Sequence, residues 1–479
     1  MRAFWTGCKV GLWIVILAWM LGGLILAPVP SGPYMLQPYY EVTRSNLSKA
    51  LAEARLVSGP VEVGFGRVRI TPTLGVQVAE PAQGRFPVVP LAGYGSRQGQ
   101  SAVGVHDDLF IKTLALRVGT QCVVWLSGDW LIVPPRVRDW MREELARRGL
   151  ARGVKLYWGA THTHSGLGGW GQGLVAERFT GRWDAGVCDW LARCALQAVL
   201  DALTDLQPAR VGLAHFEAPE FIRNRLVGEK GEIDAGFDLM VARQDRGRLG
   251  VVGVYGAHAT VLDASVQVLS GDYPGAWQRV VEAGTGGVAL FMAGAVGSQA
   301  PQAGAIGFEG VQRMGRALGD RTLEILRFLP LEAETSLGWV SLEVQMPPLC
   351  WRVSDQWRLR PWLAAALLRA RPRVELQAVR VKRSLWCATP CDFSGELALR
   401  LKGAMSARGY QAVITSFNGD YVGYVIPSKY ASMRGYEPRT MSFYGPWVGD
   451  YFEECMRRLA VGLVSGRVEG LQRDAATGR

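Results

Sequence analysis

Six short apolar runs, rich in β-branched and aromatic residues and each broken off by a polar or glycine-rich loop, constrain this 479-residue chain more than any other feature. They are QCVVWLS before GDW, KLYWGA before THTHSG, VVGVYGA before His258, VALFMA before GAVGSQAPQ, SLWCATP before CDFSGE and QAVITS before FNGDYVGY. Runs of this length and composition read as strands. Helical segments lie between several of them. After Pro134-Pro135, RVRDWMREELARRGL sets Val137, Trp140, Met141 and Leu145 on one face, and VCDWLARCALQAVLDALTDL has the same period. This alternation predicts an α/β fold of mixed β-sheets flanked by helices, with the active site in loops at strand C-termini. His162, His164, His258, Glu396 and Tyr424 follow these runs, and all are of types that bind metals. No linker, repeat or composition shift marks a boundary after Pro60, so one domain is expected over 60–466, with a tail over 467–479.

The other strong constraint is an uncharged apolar run from Val10 to Val29, preceded by Arg2 and Lys9. It is long enough to cross a bilayer as a helix, and LILAPVPSGPY offers no A-x-A cleavage pattern. The expectation is a transmembrane anchor over 1–30 with the following domain exported to the periplasm or extracellular space, or secreted if the segment is cleaved. Residues 31–59 read as an extended spacer and a short helix. The formal charge of +11 is spread over single Lys and Arg residues, not blocks, which suits an anionic lipid surface and argues against a nucleic-acid partner. The segment PPLCWRVSDQWRLRPWLAAALLRARPR is basic and Trp-rich with helical spacing, fitting either a helix lying on a membrane or a packed structural one. Eight cysteines without a C-x-x-C exclude a zinc knuckle. Cys387 with Cys391, or Cys188 with Cys194, are the closest pairs in sequence, and their connectivity stays open, as does the oligomeric state.

Two of the chain's five histidines fall in GATHTHSGLGGW, residues 159–170. If T-H-T-H is extended, His162 and His164 face one side and Thr161 and Thr163 the other, so that one histidine could bind a metal while the other acts on a substrate. A hydrogen-bonded strand end is the plainer reading of the same motif. Ser165 follows directly, but without a G-x-S-x-G elbow a serine nucleophile is disfavoured. Further zinc donors are His258, Glu396 and a tyrosine of DYVGY. His215, in VGLAHFEAP, reads as a structural strand residue without polar company. His106, flanked by Asp107 and Asp108, reads as support for a site or as an element start.

The order of these motifs resembles the catalytic domain of the neutral/alkaline non-lysosomal ceramidases, zinc amidohydrolases that cleave the N-acyl bond of ceramide. The similar stretches include GYG at 93–95, GVHDDLFIKTLAL, LSGDW, THTHSGLGGW, FIRNRL, GAHAT with SGDYPG, GAVGSQAPQ, SGELALRLKG, YVGY, RGYEP and FYGP. The resemblance implies one Zn2+ per chain held by His162, His258, Glu396 and Tyr424, with His164, Arg225 and Tyr436 around the scissile group and a lipid or other small-molecule amide as substrate. Where the family has a serine in G-D-x-S-P-N, this chain has Ala300 in GSQAPQ. The alternatives are an inactive metal-binding relative that recognises a lipid or envelope component, and a zinc hydrolase of a non-lipid ester or amide.

Overall fold

The computed structural model describes Trp13, residues 22–30 and residues 32–465. A helix, α1 (Pro38–Glu53), leads into the long strand β1 (Arg55–Arg69), from which three arms of one twelve-stranded sheet spread. In the first arm β1 pairs antiparallel with β2 (Phe110–Val118) and β2 with β3 (Gln121–Gly128); helix α2 (Pro135–Arg147) then crosses over to β4 (Val154–Ala160), parallel to β3. Helices α3 (Leu174–Thr180) and α4 (Ala185–Thr204) follow. The second arm repeats the layout with β5 (Gln207–Glu217), β6 (Gly236–Gln244) and β7 (Leu249–Tyr255), then α5 (Asp272–Thr285) crossing to the parallel β8 (Val288–Ala293), and α6 (Gly307–Leu326) beyond. The third runs β9 (Glu334–Gln345), α7 (Pro361–Leu368), β10 (Arg373–Val381), β11 (Ser384–Ala388), then α8 (Gly395–Ser406) crossing to the parallel β12 (Gln411–Thr415), and ends in α9 (Val448–Ser465). The expected α/β architecture is therefore present.

One interior belongs to all three arms. Phe65, Trp125 and Tyr157 from the first, Val252 and Met292 from the second and Trp386 from the third form a single buried cluster. Each arm packs its outer face on its own helices in a separate cluster. β1 can lie against α4 only because it carries Gly64 and Gly66. A Cβ on either would come within 2.0 Å of the carbonyl oxygens of Ala202 and Ala198, respectively, and backbone cannot yield there.

Two expectations need revision, and one open point is resolved. The apolar run does not stay helical to Val29, because Leu26–Pro28 forms a strand paired antiparallel with Trp357–Leu359. Among the described residues no helix is long and apolar enough to cross a membrane; most of the expected anchor, like the tail, lies outside them. Residues 31–59 are not a free spacer: α1 lies on β9, and the Tyr34 and Tyr40 hydroxyls donate to Glu454 of α9 at 2.5 and 2.7 Å. The seven described cysteines are all free and buried, so neither Cys387 with Cys391 nor Cys188 with Cys194 is bridged.

Candidate metal centre and active site

The carboxyl ends of the three parallel strand pairs converge. His162 lies two residues beyond β4, His258 three beyond β7, and Asp392 four beyond β11. T-H-T-H is not extended: β4 stops at Ala160 and His162 takes a left-handed φ of 62°. That conformation is unfavourable for a residue with a Cβ. It swings the imidazole inward, stacked at 4.2 Å on Phe417, itself at φ 66° just past β12. His162, His164 and His258 are buried and offer ring nitrogens that all lie within 4.8 Å of one another.

Their hydrogen bonds assign the tautomers. His162 Nδ1 lies 2.6 Å from the Leu131 carbonyl oxygen and His258 Nδ1 lies 3.1 Å from that of Val296. A carbonyl only accepts, so each Nδ1 carries the proton and, in a neutral ring, each Nε2 is bare. Burial first, then nearby like charge, pushes both histidines well below the usual imidazole range, keeping the rings neutral. Yet the two bare Nε2 atoms face each other at 2.9 Å. Asp392 Oδ1, 3.5 Å from one and 3.9 Å from the other, is buried with no hydrogen-bond partner. Two lone pairs and an orphaned carboxylate oxygen fit a cation of the zinc class. His164 Nδ1 donates to the His162 carbonyl oxygen at 3.0 Å, leaving its own Nε2 free, and burial lowers its pKa to about 3.

Glu396 does not join the group. Its Oε1 is ion-paired with Lys429 at 2.5 Å and Arg400 at 3.1 Å, and these cations hold its pKa below the usual carboxylate range despite burial. The carboxylate facing the histidines is Asp392, four residues earlier, because α8 begins at Gly395 and turns Glu396 onto its own cations. Burial raises Asp392 to about 7, offset in part by the Tyr421 hydroxyl, which donates to Oδ2 at 2.7 Å, and by the charge of Arg225. Tyr424 lies beside the group, its ring centroid 6.4 Å from that of His258, with its hydroxyl accepting from Arg225 Nη2 at 2.8 Å. Arg225 is further held by Glu437 at 2.9 Å, so it braces Tyr424. The Tyr436 ring stands edge-on to Tyr424, with centroids 5.6 Å apart.

From His162, His164, Asp392, Tyr424 and Tyr436 a cavity of about 430 Å³ extends between Trp170, Val175, Phe179, Leu349, Met441 and Phe443. Arg369, Arg371 and Asp139 also line it. A volume in the range of ordinary ligand sites, with apolar walls and the histidine group among its polar lining, suits a chain that carries a polar linkage.

Other expected residues serve as scaffold. Ala300 does not line the cavity; it pairs with Arg223 in a short antiparallel ladder. Ser298 Oγ accepts from the backbone N–H of Gly395 at the start of α8. His106 stacks on Phe308, while Asp107 ties Ser270 Oγ, the Gly271 N–H and Arg279. His215 has polar company after all: Asp238 at 2.8 Å and Glu217 at 2.7 Å hold its pKa up at about 8. Three residues that sequence reasoning passed over matter here: Asp392, Phe417 and the buried Arg97, whose Nη1 donates to the His164 carbonyl at 2.7 Å and Nη2 to that of Val266 at 2.9 Å. No sequence signal marked Arg97 or Phe417.

No known family profile and no curated protein matches the chain. Solved structures do. The neutral ceramidase from Pseudomonas aeruginosa superposes with a TM-score of 0.70 at 19% identity, over 85% of this chain and 75% of that one. A ceramidase complexed with C2 gives 0.71 at 18% identity over the same shares. At such identity the likeness establishes a common fold.

Proposed function

We propose that the chain is a divergent member of the neutral ceramidase family, a zinc-dependent hydrolase that cleaves the N-acyl amide bond of a lipid by attack of water, with ceramide one candidate substrate. The observation that carries this is the pair of bare, facing Nε2 atoms of His162 and His258, closed over by the orphaned Asp392 Oδ1 at the head of an apolar cavity. Together with Tyr424, these residues would hold the metal. When bound, it would acidify a water and polarise the substrate carbonyl.

The chain's own residues supply the rest. The apolar walls take the acyl chain and exclude water from the reacting end. His164, with Nδ1 fixed on a backbone carbonyl, presents Nε2 as the atom that takes the proton from the attacking water and returns it to the leaving nitrogen. Tyr436, which lines the cavity, would donate to the carbonyl oxygen as negative charge develops on it, and Arg225 keeps Tyr424 in position. In this reading the domain is exported and held at a membrane by the apolar run that precedes Leu26. Hydrolysis of a panel of N-acyl lipids by the full chain, with zinc quantified and a His162→Ala control, tests it. Turnover lost in the control supports the proposal; stoichiometric zinc without turnover of any N-acyl lipid would refute it.

A further inference from the structure

One segment, residues 351–371, runs beside the cavity as a collar, and its last residues, Leu368 to Arg371, line it. At one end Trp351 Nε1 donates to the Thr440 carbonyl at 3.0 Å, and Arg352 donates to that of Pro438, fastening the segment to the turn that carries Tyr436. At the other end, Leu368 and Arg369 line the cavity, and Arg369 Nη1 reaches Gln172 at 3.1 Å beside α3, whose Val175 and Phe179 line it too. Between these ends lie the strand Trp357–Leu359 and helix α7. Their outer surface is unusual: Trp357 is 48% exposed and Trp362 58%, next to Leu174 at 78% on α3. Isolated exposed apolar residues need no explanation, but three large ones on elements that adjoin a cavity, two of them helices in contact with each other, do.

We infer that this collar is a docking surface for the headgroup region of an anionic lipid bilayer, which would place the cavity mouth against the membrane. Three observations select that partner. Exposed tryptophans favour the membrane–water interface. Residues 351–373 carry six arginines against one acidic residue, Asp355. Arg371 and Arg373 are neutralised by Asp139 and Glu343, whereas Arg358, Arg360 and Arg369 bond only neutral oxygens, of Pro28 and Leu349, Gly23, and Gln172. Their charge is left for an anionic surface. Finally, the uncharged run that starts at Val10 ends in this collar: Leu26–Pro28 pairs with Trp357–Leu359, and the Arg360 N–H donates to the Ile25 carbonyl at 2.8 Å. A segment of that composition partitions into hydrocarbon, and its end is hydrogen-bonded to the patch. The inference is independent of which bond the site cleaves.

Hydroxyl-radical footprinting of the full chain in nanodiscs, read by mass spectrometry, tests it. Discs of phosphatidylcholine alone are compared with discs containing phosphatidylglycerol. Trp357, Trp362 and Leu174 should lose reactivity in the anionic discs, while Phe328 and Ile306, exposed in the second arm at 83% and 92%, keep theirs. The triple variant Arg358→Gln, Arg360→Gln, Arg369→Gln should restore it, because roughly a fivefold loss per arginine weakens docking about 100-fold. Tryptophans labelled as fast in anionic discs as in detergent would overturn the inference. Equal protection in both discs, or in the triple variant, overturns the anionic bilayer as partner, and protection in detergent that rises with protein concentration assigns the patch to a second copy of the chain.

Discussion

Exchanging the roles of two carboxylates four residues apart is the sharpest test of the metal centre. Asp392→Asn keeps the shape of a buried side chain but removes the charge 3.5 Å from His162 Nε2. At an effective dielectric of about 20, one positive charge at that distance is stabilised by about 5 kcal/mol, or three to four decades of affinity. A divalent ion closer than this feels more. The variant should therefore lose stoichiometric zinc on dialysis, as read by elemental analysis and by competition with a chromogenic chelator. Glu396→Gln should keep it. That carboxylate is paired with Lys429 and Arg400, which are 53% and 42% exposed, so its loss should cost no more than about 1 kcal/mol of stability. Zinc retained by Asp392→Asn and lost by Glu396→Gln would refute the assignment.

The same variant has a second signature in the metal-free protein. Burial raises Asp392 to about 7, above the ordinary value near 3.9, so the native state binds the proton more tightly than the unfolded chain. Stability of the apoprotein should then fall as pH rises from about 4 to 7 and level off above, by as much as about 4 kcal/mol. Asp392→Asn lacks this titration. Its urea midpoint in chelator should exceed that of the parent at pH 8 and approach it at pH 4, and a constant difference at both pH values would show that Asp392 is not the buried acid.

Further expectations concern the surroundings. His258→Ala should strip zinc, whereas His164→Ala should chiefly lower turnover, and equal zinc loss in both would show that these roles are wrongly divided. Ala176→Trp, in the cavity wall, should abolish turnover of long-chain N-acyl substrates while sparing the shortest; loss of both equally would show that the acyl chain does not lie there. Arg97→Met leaves the buried carbonyl of His164 and the half-buried one of Val266 unpaired, costing about 1–3 kcal/mol for the buried group, measurable by urea denaturation. His215 is held up at about 8 by Asp238 first and then Glu217; its contribution is full below about 6.5 and disappears as pH rises through 8. A thermal midpoint that falls over this window in the parent but not in His215→Gln confirms the sign.

Much of the layout could be read from local pattern. The helix with Val137, Met141 and Leu145 inward and the strands ending before THTHSG, His258 and CDFSGE are where hydrophobic period and loop chemistry put them. Non-local relations could not be read. The threefold recurrence of two antiparallel pairings followed by a helix crossover exists in topology without any sequence repeat. Phe417 and Arg97 act on His162 and His164 from elements hundreds or tens of residues away, through a stacked ring and a buried guanidinium. The error over Glu396 was one of phase: SGE opens a helix, and its carboxylate is answered by Arg400 one turn on. Asp392 comes before that helix, on the two-residue strand Asp392–Phe393 parallel to Tyr424–Val425, which sets the acid and the tyrosine side by side.

Ala300 can be weighed on the same grounds. The segment Gln299–Pro301 runs antiparallel to Ile222–Asn224, and the Arg225 N–H donates to the Ser298 carbonyl at 2.9 Å. Gln299 ties the Gly256 and Ala295 carbonyls to the Asp234 N–H, and Ser298 Oγ accepts from Gly395. Here, then, the segment sets the position of Arg225, and hence Tyr424, and fixes the start of α8 just beyond Asp392. A hydroxyl at 300 is not among the groups that do this, and residue 300 does not line the cavity. The alanine therefore leaves intact both the groups proposed to hold the cation and the cavity, and gives no structural reason to regard the centre as inactive.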